Sequence, residues 1–198
     1  SDVTLDDLRR FASGGDDALA AAEHAACHGR FEARLPGFGA LMPLRRPALS
    51  HRFTVGAHCL RALQATHAEL DSLGPDRVEP TMRDVTLVAA LAHDAGKRDA
   101  SPGHAARGGE VAEATAVAFG LDATHAPLAG KLVAEHLLLS DLAAHTDPSD
   151  EDAILAAAAR LGEARLIAPL YALTVADMLA TGPDGWTSWR AALIGDLA

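Results

Sequence analysis

Leu166, Leu170, Leu173, Asp177 and Ala180 follow one another at spacings of 4, 3, 4 and 3, so a carboxylate rides on the apolar face of a helix. No other feature restricts the fold as much. Burying an ionised carboxylate costs several kcal/mol unless it is paired, hydrogen-bonded or bound to a cation, so the helix bearing Asp177 has to pack where partners await it. Two more polar residues sit in similar places. His136 continues a Leu128–Leu132 stripe in steps of four, and His93 continues a stripe running from Val85 through Ala89 in the same steps. The pattern predicts three metal-ligand side chains facing inward from three separate helices.

The rest of the chain reads as helix too. It is 49% hydrophobic yet only 4% aromatic and dominated by Ala and Leu, which favours straight-chain helix formers over the β-branched residues that fill sheets. An all-α fold with one core is expected from its 198 residues. Residues 3 to about 29 predict two short helices interrupted at Gly14-Gly15, with Asp16 and Asp17 capping the second and Gly29 ending it. Pro36, Pro43 and Pro47, with Gly37 and Gly39, mark a linker, so residues 1–46 read as a helical extension and residues 47–198 as the main domain.

In that domain a helix over 54–73 carries Val55, Cys59, Ala62, Leu63 and Thr66 on one face, flanked by His58 and stopped by Gly74-Pro75. Thr81 with Asp84 resembles a capping box for the next helix, whose buried face of Val85, Val88, Ala89 and Ala92 runs into His93 and ends at Gly96. Further helices are predicted over about 105–119, 126–139, 149–161, 163–180 and 183–197.

Composition excludes several functions. A net charge of -10 with no run of Lys or Arg argues against nucleic acid as a partner. Cys27 and Cys59 alone make neither a disulfide framework nor a thiolate zinc site, and they fit a reducing cytoplasm. The longest apolar stretches are broken by charge well short of the ~20 residues that span a bilayer, and no basic-then-apolar leader opens the chain, so no membrane association is expected. The first residue is Ser rather than Met, which suggests a processed tag or a segment of a longer protein whose neighbouring domains are missing.

His93 and Asp94 are adjacent, about 100° apart around a helix, and both can reach one ion lying beyond the helix end. Neutral imidazole plus carboxylate suits a divalent ion of intermediate hardness, such as Mn²⁺, Fe²⁺, Zn²⁺, Ni²⁺ or Mg²⁺, with positions left open for water. His104 and His136 supply ligands for a second ion bridged through Asp94, the arrangement that clamps the attacking and leaving oxygens in phosphoryl transfer. Lys97, one turn after His93, is placed to offset phosphate charge. A lone histidine on an apolar face is ordinarily a satisfied core residue, and an adjacent His-Asp pair arises often by chance. The weight therefore rests on the joint pattern with His58 upstream and Asp177 far downstream. His24 and His28, four apart, read as a solvated face, and Cys59 reads as a small buried apolar residue.

These residues carry a family resemblance. Leu35-Pro36, His51-Arg52-Phe53-Thr54-Val55, Ala90-Leu91-Ala92-His93-Asp94-Ala95-Gly96-Lys97 and Leu132-Val133-Ala134-Glu135-His136-Leu137-Leu138-Leu139-Ser140 match in order. Leu173-Thr174-Val175-Ala176-Asp177, Ala180-Thr181-Gly182 and Trp186-Thr187-Ser188-Trp189 complete the match. The chain resembles the HD domain of the bifunctional uridylyltransferase and uridylyl-removing enzyme that modifies the nitrogen regulatory protein PII. The resemblance implies an HD-type helical bundle that hydrolyses the phosphodiester joining UMP, or AMP in some lineages, to a tyrosine of PII, with one or two divalent ions, Mn²⁺, Mg²⁺ or Fe²⁺ foremost.

By the same resemblance His58, His93, Asp94 and Asp177 match metal ligands, His104 and His136 match the histidines of a second site, and Asp94 and Lys97 take the catalytic roles. The chain departs from the family's TVDxH at Gly56-Ala57, from its G-D-H-S at Pro102-Gly103, and from a later pair of arginines at His145 and Thr146. It contains neither the nucleotidyltransferase nor the sensing domains that flank this one in the family. Another HD phosphohydrolase acting on nucleotides or cyclic dinucleotides, or a degenerate non-catalytic scaffold, are the alternatives.

Overall fold

Each helix begins at a local signal in the chain and is completed by an apolar face that needs burial. The computed structural model describes residues 1–45, 52–98, 103–145 and 150–181, and among these the regular elements are all helical, as the composition predicts. Helix α1 (Leu5–Ser13) opens on a reciprocal cap, with the Asp7 N–H donating to Thr4 Oγ1 at 3.1 Å and the Thr4 N–H donating to Asp7 Oδ2 at 2.9 Å. Helix α2 (Gly15–Cys27) is not capped by Asp16 or Asp17 as expected. Gly14 takes the N-cap, and both carboxylates lie in the first turn, where they face the positive end of the helix dipole. The short α3 (Phe38–Leu41) is the helix found in the described part of the proline-rich stretch.

Helix α4 (Val55–Leu73) is capped by Thr54 and stopped at Gly74, whose φ of 81° favours glycine. Helix α5 (Pro80–Ala92) starts one residue earlier than the predicted capping box. Glu79 is its N-cap and Pro80 sets the first turn, while Asp84 turns away to accept from Arg9 Nε at 2.9 Å and Nη2 at 2.7 Å. A 3-10 turn (Ala95–Arg98) and α6 (His104–Ala118) follow.

The single helix predicted over 126–139 is two, α7 (Ala126–Ala134) and α8 (Leu138–His145). The backbone leaves the helix at Glu135, and two buried polar side chains follow one another there. Glu135 pairs with Lys131 at 3.5 Å and Arg160 at 2.6 Å, and His136 is buried beside it. Helix α9 (Glu151–Leu161) begins on the Asp150 cap and ends at Gly162, and α10 (Ile167–Thr181) follows a short 3-10 turn. The helix expected over 183–197 lies outside the described residues.

Helices α4 and α10 run along each other, α5 packs on both, and α6 pairs with α7. Where α6 crosses α7, Gly109 and Gly130 let the backbones meet; a Cβ on either would lie 2.9 Å from the other's carbonyl oxygen. The buried apolar residues form one continuous cluster from Val3 and Leu8 of the N-terminal segment to Leu173 of α10, with α1 resting on α4 and α5. Residues Ala164–Thr181, with mean hydropathy 1.2, are long and apolar enough to cross a membrane by length and composition, and in this structure they pack against α4, α5 and α8.

Candidate metal centre

The first turn of α4 is fixed by the Thr54 cap, and its buried stripe of Val55, Cys59, Ala62 and Leu63 carries His58 inward. His93 closes α5. Its Nδ1 lies 2.8 Å from the Ala90 carbonyl oxygen, which can only accept, so that nitrogen bears the hydrogen and the neutral ring offers a lone pair at Nε2. Asp94 follows in the turn, and Asp177 comes from the apolar face of α10.

These side chains converge. His58 Nε2 lies 3.1 Å from His93 Nε2 and 2.8 Å from Asp177 Oδ1, while His93 Nε2 lies 3.4 Å from the same oxygen. Asp94 Oδ2 is 3.7 Å from His58 Nε2 and 3.6 Å from His93 Nε2. Ligands held at ~2.1 Å from a common ion stand ~3.0–3.4 Å from one another; the His58–His93 and His93–Asp177 separations fall in that range and the others lie just outside it.

The other oxygen of the same carboxylate faces a second group. Asp94 Oδ1 is 3.9 Å from His104 Nε2, and both atoms are buried without a hydrogen-bond partner. His136 completes this group; its Nδ1 lies 2.6 Å from the Val133 carbonyl oxygen, which again fixes the hydrogen on Nδ1. Among the described residues, His58, His93 and Asp94 form one group that could hold a metal ion, and Asp94, His104 and His136 form another. Two neighbouring polar atoms buried without partners are costly, and a cation between them would remove that cost.

Charge within the cluster is strongly displaced. Burial would lower the His93 pKa, but the Asp94 and Asp177 carboxylates outweigh it and push the ring up to about 9. Burial and the neighbouring His93 drive His136 the other way, down to about 4. Burial opposes ionisation of Asp177, yet hydrogen bonding to His58 and His93 holds it well below the usual carboxylate range; Asp94 is lowered by His93 and Lys97 against the same burial.

All seven residues singled out from the sequence are thus in one place, with two refinements. Lys97 is not aimed only at open space, since its Nζ donates to Asp94 Oδ2 at 2.7 Å. Asp177 is not wholly enclosed: its side chain is 24% exposed, beside Lys97 at 21% and His104 at 27%, and these three form the side that solvent reaches. His24 on α2 and His28 at its C-cap are exposed, their rings stacked at 4.0 Å, and Cys59 is fully buried, both as the sequence indicated. Sequence reasoning read Gly96 only as a helix end; its close approach to the His104 carbonyl appears only in the structure.

Fold and site together define an all-α protein with two adjoining groups of His and Asp able to hold a metal ion. The particular family comes from comparison with known proteins. No family model matches the chain. It is 32% identical over 194 residues, 98% of its length, to the bifunctional uridylyltransferase/uridylyl-removing enzyme of Mycobacterium tuberculosis. Proteins of the same name from Acinetobacter baylyi and Streptomyces coelicolor are 35% identical over 82% of the chain and 41% identical over 58%. The chain belongs to the family of bifunctional uridylyltransferase/uridylyl-removing enzymes and spans 23, 19 and 14% of the length of these three relatives, respectively.

Proposed function

We propose that the chain is a metal-dependent phosphodiesterase of the HD type that removes UMP, or AMP, from the modified tyrosine of the nitrogen regulatory protein PII in the cytoplasm. The observation that carries this reading is the Asp94 carboxylate, whose two oxygens face two separate histidine groups drawn from α4, α5, α6 and the α7–α8 turn. The name of the relatives includes uridylyl removal, and the other activity in that name belongs with the nucleotidyltransferase domain that the family resemblance places elsewhere in such enzymes.

In this reading His58, His93, Asp94 and Asp177 hold one divalent ion, and Asp94, His104 and His136 hold a second. Nitrogen and oxygen donors suit Mn²⁺, Mg²⁺ or Fe²⁺. When bound, such ions supply positive charge against phosphoryl oxygens and make water more acidic. The protein's own part is orientation and charge. Hydrogen bonds from the His93 and His136 Nδ1 atoms to backbone carbonyls fix both rings, and Lys97, held by Asp94, offsets charge on the nonbridging oxygens from the open side. A water oxygen bonds to phosphorus, the bond from phosphorus to the tyrosyl oxygen breaks, and the phenol leaves with a proton.

Incubation of nucleotidylated PII with the protein and Mn²⁺ should release nucleotide, and Asp94→Ala should lower the rate on the order of 100-fold or more. Absence of release, or undiminished release in the variant, defeats the proposal. Free nucleotides and cyclic dinucleotides should turn over weakly; preferential hydrolysis of either would point to another HD phosphohydrolase. A second reading, a metal-binding scaffold without turnover, draws on Gly56. A Cβ there would lie 2.6 Å from Met42 Sδ and 2.9 Å from Met42 Cα, so the carboxylate usual in the family has no room. Metal uptake without hydrolysis would favour that reading.

A further inference from the structure

The 3-10 turn Ala95–Arg98 follows directly on Asp94 and lies across the first turn of α6, which begins with His104. Contact there is backbone to backbone. A Cβ on Gly96 would overlap the His104 carbonyl oxygen and come within 2.9 Å of the Gly108 nitrogen. Neither obstacle is the flexible end of a side chain, so an added methyl group can be accommodated only by moving one backbone segment off the other. Arg107 closes the same junction from α6, its Nη2 donating to the Gly96 carbonyl oxygen at 3.3 Å.

The far part of α6 is tied down separately, because Gly109 meets Gly130 of α7 at a close crossing. The nearest atom to a Cβ on Gly96 is the His104 carbonyl oxygen, in the first turn of α6, so separation there acts on the residue that carries the ligand. Three residues of the other group are anchored elsewhere, His58 on α4, His93 at the end of α5 and Asp177 on α10, while Asp94 is shared by both groups and tied to the His93 end of α5. Between the two groups of ligands, the 3.9 Å gap from His104 Nε2 to Asp94 Oδ1 lies across the junction that the Arg107–Gly96 hydrogen bond closes.

We infer that Gly96 is a positioning residue whose missing side chain sets the distance between Asp94 and His104, and so decides whether the second ion is held while leaving the first site intact. The inference rests on the two-ion reading above. It assigns Gly96 no contact with substrate; the glycine acts through His104.

Mn²⁺ binding to the whole chain, followed by calorimetry and by electron paramagnetic resonance, separates the possibilities. The unaltered protein should take up two ions per chain with a spin-coupled signal. Gly96→Ala should keep one ion at an affinity within a few-fold of the original, lose the coupled signal, and bind the second at least tenfold more weakly. Retention of both ions, or loss of both together in a protein that still shows its helical circular dichroism, overturns the inference. An unaltered protein that takes up one ion or none overturns the two-ion reading and the inference with it. If Gly96→Ala does not fold, Arg107→Ala decides, since it loosens the same junction without adding atoms: a several-fold weaker second ion supports the inference, and an unchanged one overturns it.

Discussion

His93 and His136 show how one side chain is driven in opposite directions by its surroundings. Their rings are 5.5 Å apart and both are buried, yet His93 faces two carboxylates and rises to about 9 while His136 falls to about 4. Between the usual histidine value of 6.5 and about 9, folded His93 holds a proton that the unfolded chain has released, so its stabilising contribution is lost as pH rises through that window. Between about 4 and 6.5 the unfolded chain protonates His136 and the folded protein does not, so stability is lost as pH falls there. From these two groups, the metal-free protein should be most stable near pH 6.5, falling away on both sides, in urea unfolding followed by circular dichroism across pH. A saturating divalent ion should remove the alkaline decline, because metal binding requires the neutral ring.

The element that matters most beyond the ligands is the crossing of α6 and α7. Gly109 and Gly130 allow these helices to approach backbone to backbone, and the ends of the pair present His104 and His136. Gly130→Ala puts a methyl group 2.9 Å from the Gly109 carbonyl oxygen and should destabilise the protein by about 1–3 kcal/mol, measured by chemical denaturation. A change below about 0.5 kcal/mol would show that the crossing relaxes freely. This element also marks where sequence reading stopped. The Leu128–Leu132 stripe gave the inward face of α7 correctly, but the break at 135–137 was not visible in it; there Glu135 pairs with Arg160, a residue far along the chain. The capping box foreseen at Thr81 and Asp84 is absent too, and Asp84 pairs with Arg9 of α1.

On the scale of the whole molecule, the site is where α4, α5 and α10 meet, so an ion held there ties together helices far apart in sequence. Ligand present only in the folded state adds stability as RT ln(1 + [L]/Kd), about 2.7 kcal/mol at a hundredfold excess over Kd. Mn²⁺ should therefore raise the thermal midpoint and a chelator should lower it, while in Asp177→Ala most of that difference should vanish in differential scanning calorimetry. An equal shift in the variant would place the stabilising ion elsewhere.

Helical class, the inward faces of α4, α5 and α10, and the placing of His93, His136 and Asp177 on apolar stripes were legible from residue order, whereas the full set with His58, His104 and Lys97 leaned on the family resemblance. Apolar periodicity and the cost of burying a charge are local properties that a sequence displays directly. Which atoms meet was not legible. That Asp94 divides its two oxygens between two groups, that Lys97 is already engaged, and that Gly96 must lack a side chain follow from contacts between segments whose spacing only packing fixes. Periodicity tells a side chain which way to face; the distance to its partner is set by how closely two backbones can approach.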